Sequence, residues 1–286
     1  MKIGVMLDSF RQNFRDSVKK ASELGIEGVQ LWVTGGEICP ENMNPARIRE
    51  TLDILSEHHL ELSALCCGGS ELKDPETNPA DIEAIERALD LSVGLGCNIV
   101  TAHIGTIPEE ECRVKEIMRG AMNEISGCAD SIGAKFAVET GPEPGRILGC
   151  FLDSLDGHGI GVNFDPANLV MCSDDRPENA LRWLGKYVVH THAKDGVMVS
   201  KKIAEARAEG RATPEYDALM AKGRTFLEVP LGEGDVNFDG YLPALAATGF
   251  DGFLAIEREV GEDPAKDIAL AVNFLKEKLT RCGIPH

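Results

Sequence analysis

Eight short apolar runs recur along the chain, separated by longer stretches with the spacing of amphipathic helices. Runs of four to eight such residues bounded by turn residues predict buried strands. Helical stretches such as 14–25 and 81–96 end on Gly shortly before the next run, which is typical of a helix C-cap and a short loop. The predicted strands cover residues 2–7, 28–33, 61–67, 98–105, 135–140, 160–165, 187–192 and 252–257.

This alternation predicts an α/β fold, a (β/α)8 TIM barrel formed by a single domain over residues 1–286. Eight units in 286 residues average about 36 residues each, which suits such a barrel. A doubly wound open sheet is the alternative, but the first strand and the residues after it, "GVMLDSFRQN", contain no glycine-rich phosphate loop. The unit after strand seven is overlong, and its polar, helix-rich stretch 197–250 predicts an excursion over the barrel mouth.

Ionisable side chains fall at the carboxyl ends of consecutive predicted strands. Glu139 ends strand five, Asp165 ends strand six, His192 ends strand seven and Glu257 ends strand eight, while His103 lies at the end of strand four. The carboxyl ends of barrel strands meet at one mouth, where barrel enzymes have their active sites. A single carboxylate there can simply cap the next helix. Four neighbouring strands with the same arrangement predict one shared site.

Three carboxylates and one imidazole are a suitable set of ligands for a divalent cation. Without a cation the carboxylates would repel one another and raise one another's pKa. A set rich in oxygen with a single nitrogen favours Mn²⁺, Mg²⁺ or Co²⁺, whereas structural Zn²⁺ prefers Cys and His. We therefore expect a divalent metal cofactor, manganese in the first place, with magnesium, cobalt or zinc as alternatives.

The segment "VVHTHAKDG" (188–196) carries two histidines on the seventh predicted strand. Period-two alternation sends His190 and His192 to the same face of the strand. His192 is nearer the mouth and level with the carboxylates, so it is the predicted metal ligand. His190 lies about 6–7 Å lower by strand rise, where it is expected to fill a barrel layer or to hydrogen-bond a ligand from beneath.

The charge of the chain restricts its partners. It has 47 acidic and 29 basic residues and a formal net charge of −18, which disfavours nucleic acid and anionic lipid. The N-terminal residues have no apolar signal-peptide core, and no apolar run approaches the roughly 20 residues of a membrane span. Nine scattered cysteines without a CxxC pair predict reduced thiols. We expect a cytoplasmic protein that acts on a small molecule, with neither nucleic acid nor membrane as a partner.

Five motifs, in this order and context, resemble the xylose isomerase-like TIM-barrel superfamily over essentially the whole chain. They are "VET", "NFDPANLV", "VVHTHAKDG", "VPLGEGDVNF" and "GFDGFLAIERE". This is the group of sugar (phosphate) isomerases and epimerases that also includes ketose 3-epimerases, inosose dehydratases and endonuclease IV. The resemblance implies a metal held by Glu139, Asp165, His192 and Glu257, and a homo-oligomer, either a dimer or a tetramer. In the ketose 3-epimerase branch it implies that Glu139 and Glu257 are catalytic and exchange protons with the substrate from opposite faces, through an enediolate that the metal stabilises.

One departure separates this chain from the epimerase branch. Those epimerases usually have a His three residues after the strand-six Asp, where this chain has Asn168, which can bind a substrate hydroxyl but cannot transfer a proton. The predicted function is a metal-dependent sugar isomerase or epimerase that abstracts a proton next to a carbonyl. A lyase or dehydratase acting on a keto-sugar, keto-glycoside or keto-cyclitol is the alternative. Weaker alternatives are a non-catalytic sugar-binding barrel and an endonuclease IV-like nuclease, whose trinuclear zinc cluster needs further ligands that this chain lacks.

Further polar side chains near the predicted mouth are candidates for substrate binding. His103 is expected to hydrogen-bond the substrate, and Glu143 to bind a hydroxyl or act as a further acid–base group. Lys194 would neutralise a substrate oxygen, and Arg258 would reach the substrate if the chain turns at the strand end. Trp32, at the end of strand two, would either stack on a sugar face or pack in the core. A free or modified sugar is expected rather than a sugar phosphate, because no phosphate-binding loop stands out.

Overall fold

The computed structural model describes residues 1–286, and eight parallel strands close into one barrel. The ten strands are β1 (Lys2–Met6), β2 (Gly28–Trp32), β3 (Glu61–Cys66), β4 (Ile99–Ala102), β5 (Lys135–Glu139), β6 (Ile160–Phe164), β7 (Val188–Ala193), β8 (Asp195–Met198), β9 (Phe226–Val229) and β10 (Phe253–Ile256). In the barrel β1 to β7 follow one another, and β10 pairs with both β7 and β1. All eight predicted strands are therefore confirmed, and closure by β10 excludes the open sheet.

Helices follow the barrel strands on the outside. They are α1 (Phe14–Glu23), α2 (Pro45–Glu57), α3 (Asn78–Leu95), α4 (Arg113–Ile132), α5 (Gly145–Leu152), the short turn α6 (Pro166–Asn168), α7 (Pro177–Leu184), α8 (Val199–Ala208), α9 (Pro214–Ala221), α10 (Phe238–Ala247) and α11 (Pro264–Arg281). Asn13 and Asn44 cap α1 and α2 by accepting backbone N–H groups. The helices α3 and α4 end on Gly96 and Gly133, whose φ angles of 80° and 72° favour glycine.

The apolar core is continuous through the barrel and its helices. One cluster of 62 buried apolar residues joins the strands to the surrounding helices, as burial of strands on both faces requires. Four strands also carry buried polar side chains that point into the barrel: Gln30, Ser63, Asn163 and His190. Buried polar groups need hydrogen-bond partners. These four side chains are hydrogen-bonded to one another or to residues of the site above them. None of the helices combines the length and the apolar character that crossing a lipid bilayer demands.

The predicted excursion after β7 is a hairpin that carries two helices. The strands β8 and β9 pair antiparallel, and α8 and α9 lie between them along the chain. The segment that leads back to α10 folds around the carboxylate of Asp195, which accepts hydrogen bonds from the backbone N–H groups of Gly196, Gly232, Gly234 and Val236. A Cβ atom at position 234 would lie 2.1 Å from Oδ1 of Asp195, so only glycine fits there. One buried carboxylate thus organises the "PLGEGDV" motif.

We predict that Asp195→Asn lowers the free energy of unfolding by about 2–4 kcal/mol. The amide retains one acceptor oxygen, but its NH2 group then faces backbone N–H groups that lose their partner. The denaturant midpoint measures the effect, and Asp251→Asn in the exposed loop before β10 is the matched control. Equal midpoints for the two variants would show that the loop does not depend on this carboxylate.

Candidate metal centre

Four side chains with ligand atoms converge at the carboxyl ends of neighbouring strands. Glu139 ends β5, Asp165 follows β6, His192 lies in β7 and Glu257 follows β10. One ligand atom of each lies within 4.8 Å of those of the other three, and all four residues are buried or nearly so. The Nδ1 atom of His192 is 3.6 Å from Glu139 Oε1, 3.5 Å from Asp165 Oδ2 and 3.2 Å from Glu257 Oε2. The four groups therefore surround one point.

The orientation of the His192 ring is set from beneath by Gln30 on β2. The amide nitrogen of Gln30 donates to Thr101 Oγ1 at 2.8 Å, so its Oε1 faces His192 Nε2 at 2.9 Å. That oxygen can only accept, which places a proton on Nε2 of His192. The amide nitrogen of Asn163, 3.2 Å from Nε2, therefore makes no hydrogen bond to it. Burial would lower the pKa of His192, but Glu257 and Glu139 raise it well above its ordinary value. Nδ1 is the atom aimed at the carboxylates, so it would give up its proton to become a metal ligand.

Asp165 divides its two carboxylate oxygens between structure and site. Oδ1 accepts the backbone N–H groups of Ala167 and Asn168 at 2.8 and 3.0 Å and so caps the turn that follows β6. Oδ2 is buried without a hydrogen-bond partner and points at His192. The cap and the unpaired oxygen that a ligand role needs, alternatives on sequence alone, are thus both present in one side chain.

Glu139 is held by two asparagine amides. Asn168 Nδ2 donates to Glu139 Oε1 at 3.0 Å and to the Thr140 carbonyl at 3.2 Å, while Asn163 Nδ2 donates to Oε2 at 3.1 Å. Burial would raise the pKa of Glu139, but the imidazoles of His192 and His103 outweigh it and keep that pKa below its ordinary value. Asn168, where the epimerases usually have His, thus contacts the carboxylate directly.

His190 lies one layer below His192, and their ring centroids are 6.0 Å apart. Its Nδ1 is 2.9 Å from Asn163 Oδ1 and its Nε2 is 3.1 Å from Ser63 Oγ. Burial lowers the pKa of His190 to about 3, so the ring is neutral. Because Asn163 directs its NH2 group at Glu139, its oxygen must accept from His190 Nδ1–H. His190, Asn163 and Glu139 therefore form one hydrogen-bonded chain from the barrel interior to the site. The single hydroxyl proton of Ser63 is shared between His190 Nε2 and the Val29 carbonyl at 3.0 Å.

Lys194 lies beside the fourth ligand. Its Nζ donates to Glu257 Oε2 and to Glu259 Oε2, both at 2.7 Å. Burial alone would lower the pKa of Lys194, but Glu257 and the neighbouring carboxylates raise it well above its ordinary value. Burial would likewise raise the pKa of Glu257, whereas Lys194 and His192 lower it to about 2. The glutamate is thus ionised and the lysine charged.

The charges and the unpaired atoms both fit a divalent cation. With His192 neutral, as a metal-bound imidazole is, the three carboxylates carry three negative charges and Lys194 compensates one, so a cation of charge +2 would bring these groups to neutrality. His192 Nδ1 and Asp165 Oδ2 are buried and have no hydrogen-bond partner, and both face the point where such an ion would lie. Unpaired polar atoms of this kind are rare in buried positions.

A cavity of about 340 Å³ opens above the four ligands. Its lining includes Glu139, Glu257, His103, Asn168 and Lys194, so three of the predicted substrate contacts lie together with two ligands. His103 is about half exposed, with Nε2 3.3 Å from Glu139 Oε1. Trp32 of β2 and Phe226 of β9 also line the cavity, and they are 40% and 47% exposed at its rim. Aromatic faces that open to solvent beside a cavity with several carboxylates suit a ligand with an apolar face and many hydroxyls.

Two predicted substrate contacts do not line the cavity. The buried guanidinium of Arg258 donates to Glu228 at 2.6 Å and to Asp267 at 2.8 Å, because strand alternation directs it away from Glu257. The expected substrate contact of Arg258 is therefore corrected: the residue holds Glu228, which does line the cavity. Glu143 is buried in the loop after β5, where it accepts the Ile107 N–H at 3.4 Å and joins two loops of the mouth.

Several residues of the site were not found from the sequence. Gln30 and Asn163 left a signal, because each is a lone amide within a buried apolar strand, "GVQLW" and "GVNF", and such an amide needs a buried partner. Phe226, Glu228 and Glu259 left none, since the fold of the long excursion and of the loop after β10 brings them to the cavity.

Comparison with known proteins agrees with this fold. The chain matches the family described as the xylose isomerase-like TIM barrel over residues 18–278, and it belongs to that family.

Three solved structures show the likeness of fold. A xylose isomerase domain protein from Planctomyces limnophilus is 23% identical, with 99% of this chain and 98% of that chain covered and a TM-score of 0.78. The probable 3-DHS dehydratase AsbF from Bacillus anthracis is 19% identical, with 96% and 99% covered and a TM-score of 0.73. D-psicose 3-epimerase from Clostridium cellulolyticum H10, solved with D-tagatose, is 15% identical, with 98% and 99% covered and a TM-score of 0.70.

We predict that Gln30→Leu weakens Mn²⁺ binding about 10–100-fold, since loss of the partner of a metal-bound His typically has this effect. His192→Ala, which removes a ligand, is expected to weaken binding further. Titration calorimetry and elemental analysis of the dialysed protein measure both, with His158→Ala on the exposed surface as the control. Full metal content in His192→Ala would contradict the assignment of the site.

We predict a pH-dependent contribution from Glu143 to stability. Burial raises its pKa from the ordinary 4.5 to about 7, so the folded state binds a proton that the unfolded chain releases. The free energy of unfolding should therefore fall by roughly 3 kcal/mol as the pH rises from 4.5 to 7, and stay flat above. Glu143→Gln should lack this part of the decline, whereas exposed Glu110→Gln should keep it. Parallel pH profiles of unfolding for Glu143→Gln and the wild type would disprove it.

Proposed function

We propose that this protein is a divalent-metal-dependent sugar isomerase or epimerase that abstracts a proton next to a carbonyl. The observation that carries the proposal is the convergence of Glu139, Asp165, His192 and Glu257 within 4.8 Å, with Glu139 and Glu257 lining a cavity that opens above them. Proton abstraction of this kind needs a base on the C–H and a positive group at the carbonyl oxygen. Manganese is the proposed metal, because the ligand set is rich in oxygen.

Each carboxylate of the site has a distinct proposed role. A cation held by the four side chains would supply the Lewis acid that polarises the substrate carbonyl. Glu139 and Glu257 line the cavity from strands separated by β6 and β7, so each can exchange a proton with the substrate from its own side. Asp165 cannot leave its place, because its other oxygen caps the next turn, and it serves as a fixed ligand. The half-exposed His103 can hydrogen-bond a substrate hydroxyl.

The charges of the cavity favour a sugar without phosphate. Glu139, Glu228, Glu257 and Glu259 line it, and Lys194 alone among the lining residues carries a permanent positive charge. Two of those carboxylates already accept hydrogen bonds from that ammonium group at 2.7 Å. A phosphate would enter a negative field without a free lysine or arginine to bind it, whereas sugar hydroxyls can donate to the carboxylates. We therefore propose a free or modified ketose as the substrate.

Elimination is the second candidate, and Lys194 is the observation that favours it. Its ammonium group lies 2.7 Å from Glu257 Oε2, so a base and a proton donor are adjacent in the cavity. After Glu257 takes the α-proton, Lys194 can protonate a hydroxyl that leaves from the next carbon as water. The fold likeness to both D-psicose 3-epimerase and the probable 3-DHS dehydratase AsbF is consistent with either outcome.

The test is deuterium exchange in D₂O with Mn²⁺ and a panel of ketoses and keto-cyclitols, followed by product NMR. We expect deuterium at C3 of the recovered ketose, and a loss of exchange of roughly 10²–10⁴-fold in Glu139→Gln and in Glu257→Gln. Glu262→Gln, in the exposed loop after β10, is the matched control and should exchange normally.

The position of the label separates the alternatives. Label at C1 or C2 identifies an aldose–ketose isomerase, and loss of water or of an aglycone identifies a lyase. Absence of exchange and of product with the whole panel, in protein shown to contain metal, would overturn the proposed function.

A further inference from the structure

A second cavity of about 350 Å³ lies beside the one above the metal centre. It is formed by the residues that lead into α1 and by the segment that follows β2, so it opens on the same rim of the barrel. Trp32 lines both cavities. Each cavity alone is at the lower end of the roughly 300–1,000 Å³ usual for small-molecule sites. Together they would hold a ligand about twice as large.

Trp32 is fixed as the wall that the two cavities share. Its backbone N–H donates to Asp8 Oδ2 at 3.2 Å, and its indole Nε1–H donates to the Thr34 carbonyl at 3.0 Å. With the indole nitrogen already paired, the ring offers its apolar faces rather than a polar contact. Its 40% exposure leaves those faces open to a ligand, and the C–H side of a sugar ring is apolar enough to pack there.

One hydroxyl in this second cavity lacks a partner. Ser17 of α1 is 1% exposed, its Oγ makes no hydrogen bond within the protein, and the residue lines the cavity. A buried hydroxyl left unpaired is unfavourable. A turn of the Ser17 side chain toward the cavity would let a ligand hydroxyl supply the missing partner.

The charges of the second cavity indicate a neutral ligand. Asp8 and Glu37 are its ionisable lining residues, and neither lysine nor arginine lines it. The start of α1 could attract an anion, but Asn13 already accepts the N–H of Asp16 there. A phosphate or carboxylate would meet two carboxylates, whereas a polyhydroxylated ring can donate to them. The side-chain amide of Gln12 and the hydroxyl of Thr34 also line the cavity, and both groups can hydrogen-bond the hydroxyls of a sugar.

We propose that the second cavity binds a second sugar ring, so that the substrate is a keto-disaccharide or a glycoside rather than a monosaccharide. The reacting ring lies above the metal centre and the other ring lies on the far side of Trp32, with its hydroxyls toward Ser17. The identity of the reacting ring rests on the proposed function, while the binding of the second ring does not.

The test uses Trp32 as a fluorescent reporter. The chain has two tryptophans, so Trp183→Phe on the exposed face of α7 leaves Trp32 alone. This protein is titrated in Mn²⁺ buffer with fructose and with maltulose, lactulose and isomaltulose, which carry a second ring on fructose. We expect at least one disaccharide to bind tenfold or more tightly than fructose. Adding Ser17→Ala should reduce that ratio several-fold, and adding Ser56→Ala, on the exposed face of α2, should leave it unchanged.

Two results would overturn the inference: no disaccharide binds more tightly than fructose, or the preference is the same in Ser17→Ala. Deuterium exchange on the same sugars separates this from the proposed function. If deuterium exchanges into fructose but no disaccharide binds more tightly, the proposal of a second sugar ring is rejected and the proposed reaction stands. If a disaccharide binds more tightly in a way that depends on Ser17 but no sugar exchanges deuterium, the proposed reaction is rejected and the second sugar ring stands.

Discussion

Repulsion among three carboxylates at one buried point is the constraint on which the rest of the site depends. Glu139, Asp165 and Glu257 would drive one another apart unless positive charge and directed N–H groups hold them. The protein provides Lys194 against Glu257, asparagine amides against Glu139, and a backbone cap for one oxygen of Asp165. What these contacts leave unpaired is one oxygen of Asp165 and one nitrogen of His192, which face each other.

The barrel makes this arrangement rigid because each support comes from a different strand. Gln30 on β2 sets the ring of His192 on β7, and Asn163 on β6 connects Glu139 on β5 to His190 on β7. Register between parallel strands fixes these heights, so the ligand atoms are positioned by the sheet itself. A site built in this way needs little reorganisation when a ligand enters, which is the condition for electrostatic stabilisation of a developing charge.

The sequence predicted the fold and the four ligand-type residues because both are local patterns. Apolar runs give the strands, and a polar residue at each strand end must reach the mouth once the strands are parallel. Arg258 shows a limit of such local patterns. It follows Glu257 in sequence, but alternation directs its side chain to the other face of the strand, where it binds Glu228 and Asp267. Phe226 and Glu228 lie in the excursion, whose path over the mouth depends on contacts between residues distant in sequence. Such contacts leave no periodic signal in one chain.

The carboxylate of Asp195 has a consequence for how this family can diversify. It ties the base of the excursion to the end of β7, three residues beyond His192, and closes that base with four backbone hydrogen bonds. The helices α8 and α9 lie outside this closure. They form an appendage that evolution or design can lengthen, shorten or exchange while the four side chains at the strand ends stay in register. The residues that cover the cavity can thus change without a change in the geometry of the cluster beneath them.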